Sequence, residues 1–355
     1  MATTDSPPAP PLTGAVDTAT VAPRPARLPV DLVDPGLRQR LVAGLAAVEH
    51  HLRTCVVRPD DAFLSETASY LLRAGGKRFR PLLALLGAEF GDPATPGVVV
   101  AGAVVELAHV ASLYHDDVMD EAPLRHGVQS AGARWSNTVA ILTGDYLLAR
   151  AAEIGVSLGA DVIRLQTHAV DRLVRGQIRE TVGPGPGEDP AAHVLAVIAD
   201  KSAALIALSA QLGATVAGAD EPVVAALTRG AEALGTAFQL SDDVLDIMSD
   251  ATVSGKTPGT DLREGVLTMP LLYAQRSPHR QDARLRALLR SGPLTDDALH
   301  AEALTLLRRS PAMGRARADI ATSAASARAS FAELPDCAAR DALQSLCAYV
   351  VTRTS

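Results

Sequence analysis

Apolar residues recur at helical spacing through almost the whole chain, in windows bounded by proline, glycine and short polar residues. The strict alternation of a half-buried strand is nearly absent. Asp34-Pro35 supplies an N-cap and a first-turn proline, so the pattern predicts a helix from there to about Cys55. Thr95-Pro96 supplies the same pair for a helix running through Val98 to Val100, Val104, Val105, Leu107, Ala108, Ala111 and Leu113. Further helices are predicted near residues 61–74, 79–90, 137–157, 161–181, 190–217 and 222–248, with shorter ones after them. Turn-rich breaks fall at Gly75-Gly76, at 121–136, from Gly183 to Pro190 and at 251–266. The fold class read from this pattern is all-α.

Composition changes the picture at three points. The chain of 355 residues is 48% apolar but only 3% aromatic, so its core is expected to be built from small aliphatic side chains. Prolines at 7, 8, 10, 11, 23 and 25 make residues 1–30 read as a disordered tail without the apolar run of a secretory signal, and residues 31–355 as one domain. The longest uncharged stretch, Ser202 to Ala219, is interrupted by Ser209, Gln211, Gly213 and Thr215 and reads as a buried helix rather than a membrane span. A net charge of −7 argues against nucleic acid as a partner. The three cysteines Cys55, Cys337 and Cys347 lack metal spacing and fit a reducing cytoplasm.

The candidate chemistry is acidic and occurs twice. Asp116, Asp117 and Asp120 close one apolar helix, and Asp242, Asp243 and Asp246 lie in another. Residues at i, i+1 and i+4 share or flank one helical face, so each motif concentrates three carboxylates beside apolar surface. Such charge is costly to hold there without cations. A solvated helix end explains one or two aspartates, but not three, and not the repetition. Oxygen-only ligands suit Mg²⁺, which binds through a few carboxylates plus substrate phosphates. Each motif therefore reads as a metal platform completed by a phosphate.

Basic counterparts follow glycine turns. Gly75-Gly76-Lys77-Arg78-Phe79-Arg80-Pro81 sets three cations beside free backbone amides, an arrangement fit for a diphosphate. The plainer account is a helix C-cap followed by solvated charges. Lys201 interrupts apolar sequence, Lys256 lies in the loop Gly255 to Asp261, and Arg125 follows the first acidic motif. Taken singly, each lysine reads more readily as a solvated charge. His109 and His115 flank the acidic end of the first helix, where a hydrogen-bonded structural histidine is the default.

Gly75 to Pro81, the motif at Asp116, Leu124-Arg125-His126-Gly127, Lys201-Ser202, Phe238 to Asp246 and Gly255 to Pro270 together resemble the trans-type polyprenyl diphosphate synthases. Order and spacing match over roughly residues 36–353, and the phrasing is most similar to actinobacterial members. The resemblance implies an isoprenoid synthase helical bundle around a central cavity, and a homodimer. It also implies Mg²⁺-dependent condensation of isopentenyl diphosphate with an allylic diphosphate, with at most peripheral membrane contact through the product. Residue by residue, it puts the metal and the allylic diphosphate on Asp116, Asp117, Asp120, Asp242, Asp243 and Asp246. Arg125, Lys201, Ser202, Gln239 and Lys256 are implied to meet the allylic substrate, and Lys77, Arg78, Arg80 and His109 to seat isopentenyl diphosphate. His126 stands where the family usually has arginine, which implies a weaker, pH-dependent charge. Ser202 replaces a common threonine, and Val266 a common lysine.

In that family the side chains beneath the first motif form the floor for the growing tail. Ala111 and Ser112 lie roughly 6–8 Å below Asp116 and Ala108 roughly 12 Å, at about 1.5 Å per residue. None is aromatic, so a deep apolar shaft is expected, with a product longer than geranylgeranyl, of the quinone side-chain kind. A short-chain geranylgeranyl or farnesyl synthase remains the alternative, as does a non-catalytic subunit of a heteromeric synthase. A His-Asp phosphohydrolase built on His115-Asp116 leaves the second acidic motif idle, and a terpene cyclase needs no second diphosphate seat.

Overall fold

The computed structural model describes residues 33–249 and 258–354, so the N-terminal tail read from the sequence, and Lys256 with its loop, lie outside the described residues. From the N-terminus come α1 (Pro35–Cys55), α2 (Ala62–Ala74), α3 (Phe79–Ala88) and α4 (Gly97–Met119). Next are a short hairpin, β1 (Leu124–Arg125) and β2 (Val128–Gln129), then α5 (Ala131–Arg134), α6 (Asn137–Gly155) and α7 (Ala160–Val182). A long rod follows, made of α8 (Pro190–Val197), a π-helical segment (Ile198–Ala203) and α9 (Ala204–Val216), and then α10 (Glu221–Met248). The chain closes with α11 (Thr260–Glu264), α12 (Met269–Gln275), α13 (Ala283–Leu289), α14 (Asp297–Arg309), α15 (Pro311–Ala332) and α16 (Ala338–Thr352).

Helix starts follow the expected chemistry at most sites. Asp34 accepts from Leu37 N with proline in the first turn, and Asp61 accepts from Leu64 N at 2.8 Å. Thr95-Pro96 departs from the expected pattern, because Pro96 itself takes the cap position and no side chain caps α4. The break at 121–136 contains secondary structure too local to read as alternation: Arg125 pairs with Val128 across His126-Gly127. Both loop residues have positive φ, 52° and 80°, as a type I′ turn requires.

Small residues let the helices close in. A β-carbon on Gly213 of α9 would fall 1.8 Å from Ala84 O of α3, and one on Gly87 of α3 would fall 2.3 Å from Ala210 O of α9. Backbone meets backbone there, which only glycine permits. The apolar side chains gather into three clusters. One joins α1, α3, α9, α10 and the C-terminal helices, and one joins α1, α2, α4 and α6. The third lies between α4, α7 and α9. Among the described residues, two segments, α4 and the rod 190–216, are long and apolar enough to cross a membrane, and both bury more than half of that apolar stretch inside the fold.

Candidate active site

The same three helices that enclose the third cluster end in charge above it. α4 presents Asp116, with Asp120 as its C-cap; α7 presents Glu180; the π segment presents Lys201, whose ammonium donates to Glu180. A π turn is wider than an α turn and occurs often at functional positions. Here it leaves Lys201 and Ser202 facing the acids. Gly176 of α7 makes room for it: a β-carbon there would lie 2.5 Å from Lys201 N.

The second motif projects from α10 toward the same space. Ser202 donates to Gln239 at 2.8 Å and Gln239 donates to Asp243 at 3.0 Å, so the π segment holds the α10 carboxylate through one amide. Asp246 accepts from Thr260 N at 3.2 Å and from Asp261 N at 3.3 Å, tying α11 to the motif. Asp242 pairs with Arg353 at 2.9 Å. Burial gives the largest lift to Asp116 and Asp120 on α4, Asp243 on α10 and Glu264; added to it, Glu180 raises all three aspartates from α7, and Asp120 and Asp246 both raise Glu264. Charges felt in common mean that the two acidic walls face one space.

Among the described residues, the acids at this site outnumber the cations beside them. Burial, with repulsion from Asp120, lifts Asp116 to about 6 against the pull of Lys201. Burial, with Asp242 and Asp246, lifts Asp243 to about 7 although Gln239 donates to it. Burial next to Asp246 and Asp243 holds Asp261 well above the ordinary carboxylate range. Burial tends to lower Lys201, but Glu180, Asp116 and Asp120 outweigh it and raise it. Asp117 Oδ2 is buried without a partner, while Oδ1 receives Arg125 at 2.6 Å. Among the described residues no three such ligands converge tightly enough to hold an ion by themselves. Carboxylates short of cations, with open ligand positions, suit hard divalent ions brought with a phosphate.

A basic flank adjoins them. His109 is held well below its ordinary value by burial and then by Arg80, His126, Arg125 and Arg78, which places those groups around one neutral imidazole. Arg80 is lowered by burial although Glu106 and Asp242 pull it back, and its Nε is buried with no partner. Buried guanidinium nitrogens are rarely left bare, so an anion fits here. Lys77 is exposed beside it.

Several expected residues are placed differently. Arg78 is turned inward: it bonds Glu49 at 2.8 Å, Glu106 at 2.8 Å and Leu72 O at 2.8 Å, clamping α1, α4 and the end of α2 rather than facing a ligand. Its positive φ of 48° swings the side chain back under the turn. Ala111 lies on the opposite side of α4 from the acids, about 140° around the helix from Asp116, in the cluster shared with α1, α2 and α6. Ala108 lies in the cluster below the acids, and Ser112, half-buried, donates to His109 O. That cluster is filled rather than hollow, since Ala101, Val104, Val105 and Ala108 are at most 1% exposed. His115 is structural: its ring meets Ile141 O and Asp145, and packs on Gly144.

Four residues escaped the sequence reading. Glu180 was legible in principle, being in helical phase with Val162, Gln166, Ala169, Leu173 and Gly176, where a charge marks the end of a buried stripe. Asp261 and Glu264 stood in a segment read only as a loop. Arg353, whose guanidinium also bonds Phe238 O and Ser241 and lies 4.1 Å from the Phe238 ring centre, left no signal, because only the tertiary fold brings it to Asp242.

Residues 61–307 match the polyprenyl synthetase family model. The chain is 48% identical over 325 residues to a nonaprenyl diphosphate synthase of Mycobacterium tuberculosis, covering 91% of this chain and 96% of that one. Its fold is similar to that of a geranylgeranyl pyrophosphate synthase from Corynebacterium glutamicum complexed with calcium and isoprenyl diphosphate. There the TM-score is 0.82 at 43% identity, over 92% of this chain and 99% of the other. It is also similar to a decaprenyl diphosphate synthase from Rhodobacter capsulatus, with a TM-score of 0.81 at 32% identity over 90% and 99%.

Proposed function

We propose, for a chain that belongs to the polyprenyl synthetase family, that it lengthens an allylic diphosphate by repeated condensation with isopentenyl diphosphate, giving a product longer than geranylgeranyl. One observation carries this reading: acids from α4 and α10 face one space beside Lys201, with a separate basic flank at Arg80 and His109. Two diphosphates require two seats, and a protein nucleophile is not needed.

The chemistry follows from charge. Divalent cations, Mg²⁺ in this reading, would supply positive charge on the leaving diphosphate when held by Asp116, Asp117, Asp120, Asp242, Asp243 and Asp246. Lys201 and Arg125 add fixed cations on the same leaving group, and Lys256 would join them from the glycine-rich loop. Gln239 and Ser202 orient Asp243. Departure of the diphosphate leaves an allylic cation, which the double bond of isopentenyl diphosphate attacks, and the proton then lost goes to the departed diphosphate. Arg80 and Lys77 hold the isopentenyl diphosphate, with His109 neutral and His126 at the rim, while Arg78 braces their loop from beneath. The growing tail passes down between α4, α7 and α9, parting the closely packed seam below Ser112 and Ala108.

The reading extends to one catalytic domain over residues 31–355, a cytoplasmic homodimer, and membrane contact limited to the product. All six metal carboxylates are retained, which favours a catalyst over a silent subunit. Purified protein without a partner, given Mg²⁺, labelled isopentenyl diphosphate and starters of increasing length, is expected to yield products beyond four isoprene units by chromatography. A ladder ending at geranylgeranyl supports the short-chain alternative. Simple phosphate release or a cyclic hydrocarbon overturns the proposal.

A further inference from the structure

The π segment is held from two sides. On α7, Gly176 closes on Asp200 and Lys201: a β-carbon there would fall 2.5 Å from Lys201 N and 3.0 Å from Asp200 C. One turn below it, Arg172 donates from Nε to Asp200 Oδ1 at 2.8 Å. From one terminal nitrogen it donates to Ala199 O at 3.1 Å and to Glu232 Oε1 of α10 at 2.6 Å. On α10 the same face continues upward from Glu232 through Gly235, whose β-carbon would fall 2.8 Å from Ala203 Cα, to Gln239, which receives Ser202.

Ala199 O is where the widening begins. It receives Ala204 N, five residues on, in place of the four of an α-helix. Such a turn competes with ordinary α-helical closure, so what keeps it open has to come from outside the rod. Arg172 supplies that support: it adds a second donor to the same carbonyl and grips the carboxylate of the next residue. Glu232 fixes the guanidinium in turn, so that α7, the π segment and α10 meet at one planar group. A guanidinium serves three acceptors in a set geometry, and an ammonium on a flexible stem does not. Arg172 lies 8 residues below Glu180, about 12 Å along α7, and its three acceptors are protein atoms outside both acidic motifs.

We infer that Arg172 is a positioning residue for the condensation: a fork that keeps the turn at 198–203 wide and thereby aims Lys201 at the acids, without touching either substrate. The inference rests on the elongation reading above, in which Lys201 meets the allylic diphosphate. It gives Arg172 a share in the allylic side of the site alone, since Arg80 and His109 belong to α3 and α4.

The test uses the full chain with Mg²⁺, a short allylic starter and labelled isopentenyl diphosphate, each substrate varied in turn. Arg172→Met is expected to lower kcat/KM for the starter roughly tenfold or more and to leave the KM for isopentenyl diphosphate within about twofold. Arg172→Lys is expected to fall between it and wild type, because one ammonium does not span the three acceptors. In a Lys201→Met background the further loss from Arg172→Met should be no more than about threefold, since the group being aimed is gone. Thermal melts establish which variants are folded, and Arg172→Lys carries the same cycle if the methionine variant does not fold. Starter kinetics unchanged in a folded Arg172→Met protein overturn the assignment. So do losses that multiply fully in the double variant, or equal weakening of both substrates, either of which marks a general structural brace. Full recovery by lysine also overturns it, because charge alone would then suffice. Failure of the wild type to condense at all overturns the elongation reading, and this inference with it.

Discussion

At the scale of single residues, the site is built on borrowed donors. Asp243 sits in apolar surroundings and receives one amide hydrogen from Gln239, which in turn receives the hydroxyl of Ser202. Cutting this relay should be felt at the carboxylate, where a bond to a charged acceptor contributes about 1.5–3 kcal/mol. Gln239→Leu is accordingly expected to lower kcat/KM for the allylic substrate by roughly tenfold to a hundredfold, while the KM for isopentenyl diphosphate stays near its starting value. Steady-state kinetics with each substrate varied in turn checks this, and an unaltered allylic profile would reject the relay. The contrast between Arg78 and Arg80 belongs here too. Two residues apart in one motif, one is fully engaged by Glu49, Glu106 and Leu72 O, and the other keeps a buried Nε without a partner. Side-chain direction out of a left-handed backbone step separates them, and spacing along the chain does not encode it.

Among elements, the decisive relation is that α4, α7 and the π segment end at the same level, and the clamp at Arg78 helps keep α4 in register with α1. Arg78 is 10% exposed and Glu106 5%, so removing the guanidinium strands a carboxylate in the interior. Arg78→Met should destabilise the protein by about 3–5 kcal/mol, whereas Lys77→Met, at an exposed site, should leave stability unchanged. Urea unfolding of the two variants separates a brace from a ligand contact; equal stabilities would refute the clamp. This is also where the sequence was most and least informative. Helix positions were legible because capping residues and apolar phase act locally, as at Asp34. The π turn at Lys201, the side of α4 that Ala111 occupies and the packed state of the seam were not, since each depends on which neighbour arrives. The six aspartates stood out because charge beside apolar surface is conspicuous in any register.

For the whole molecule, the excess of buried acid makes stability a function of pH and of cations. Folding raises Asp116 from 3.8 to about 6 and Asp243 from 3.8 to about 7. The folded chain thus binds protons that the unfolded chain releases, and the slope of unfolding free energy with pH is negative across that window. Their contribution is unperturbed below pH about 4 and becomes a growing penalty as pH climbs through 6 and 7. Mg²⁺ with inorganic diphosphate should relieve the penalty, so the rise in Tm on adding them is expected to be larger at pH 8 than at pH 5. Scanning calorimetry at both values checks the sign, and an equal or smaller rise at pH 8 would contradict it. In the Asp116→Asn, Asp243→Asn double variant the difference should shrink.

The widened turn at residues 198–203 has one more implication, for how this rod tolerates insertions and deletions. Losing a single amino acid there would let the ladder of amides close into an unbroken spiral, a local gain. The flanking turns would keep their register, but the side chains of the turn itself would be re-aimed, carrying the ammonium of Lys201 away from Glu180. Along this stretch, the count of residues is itself part of the catalyst.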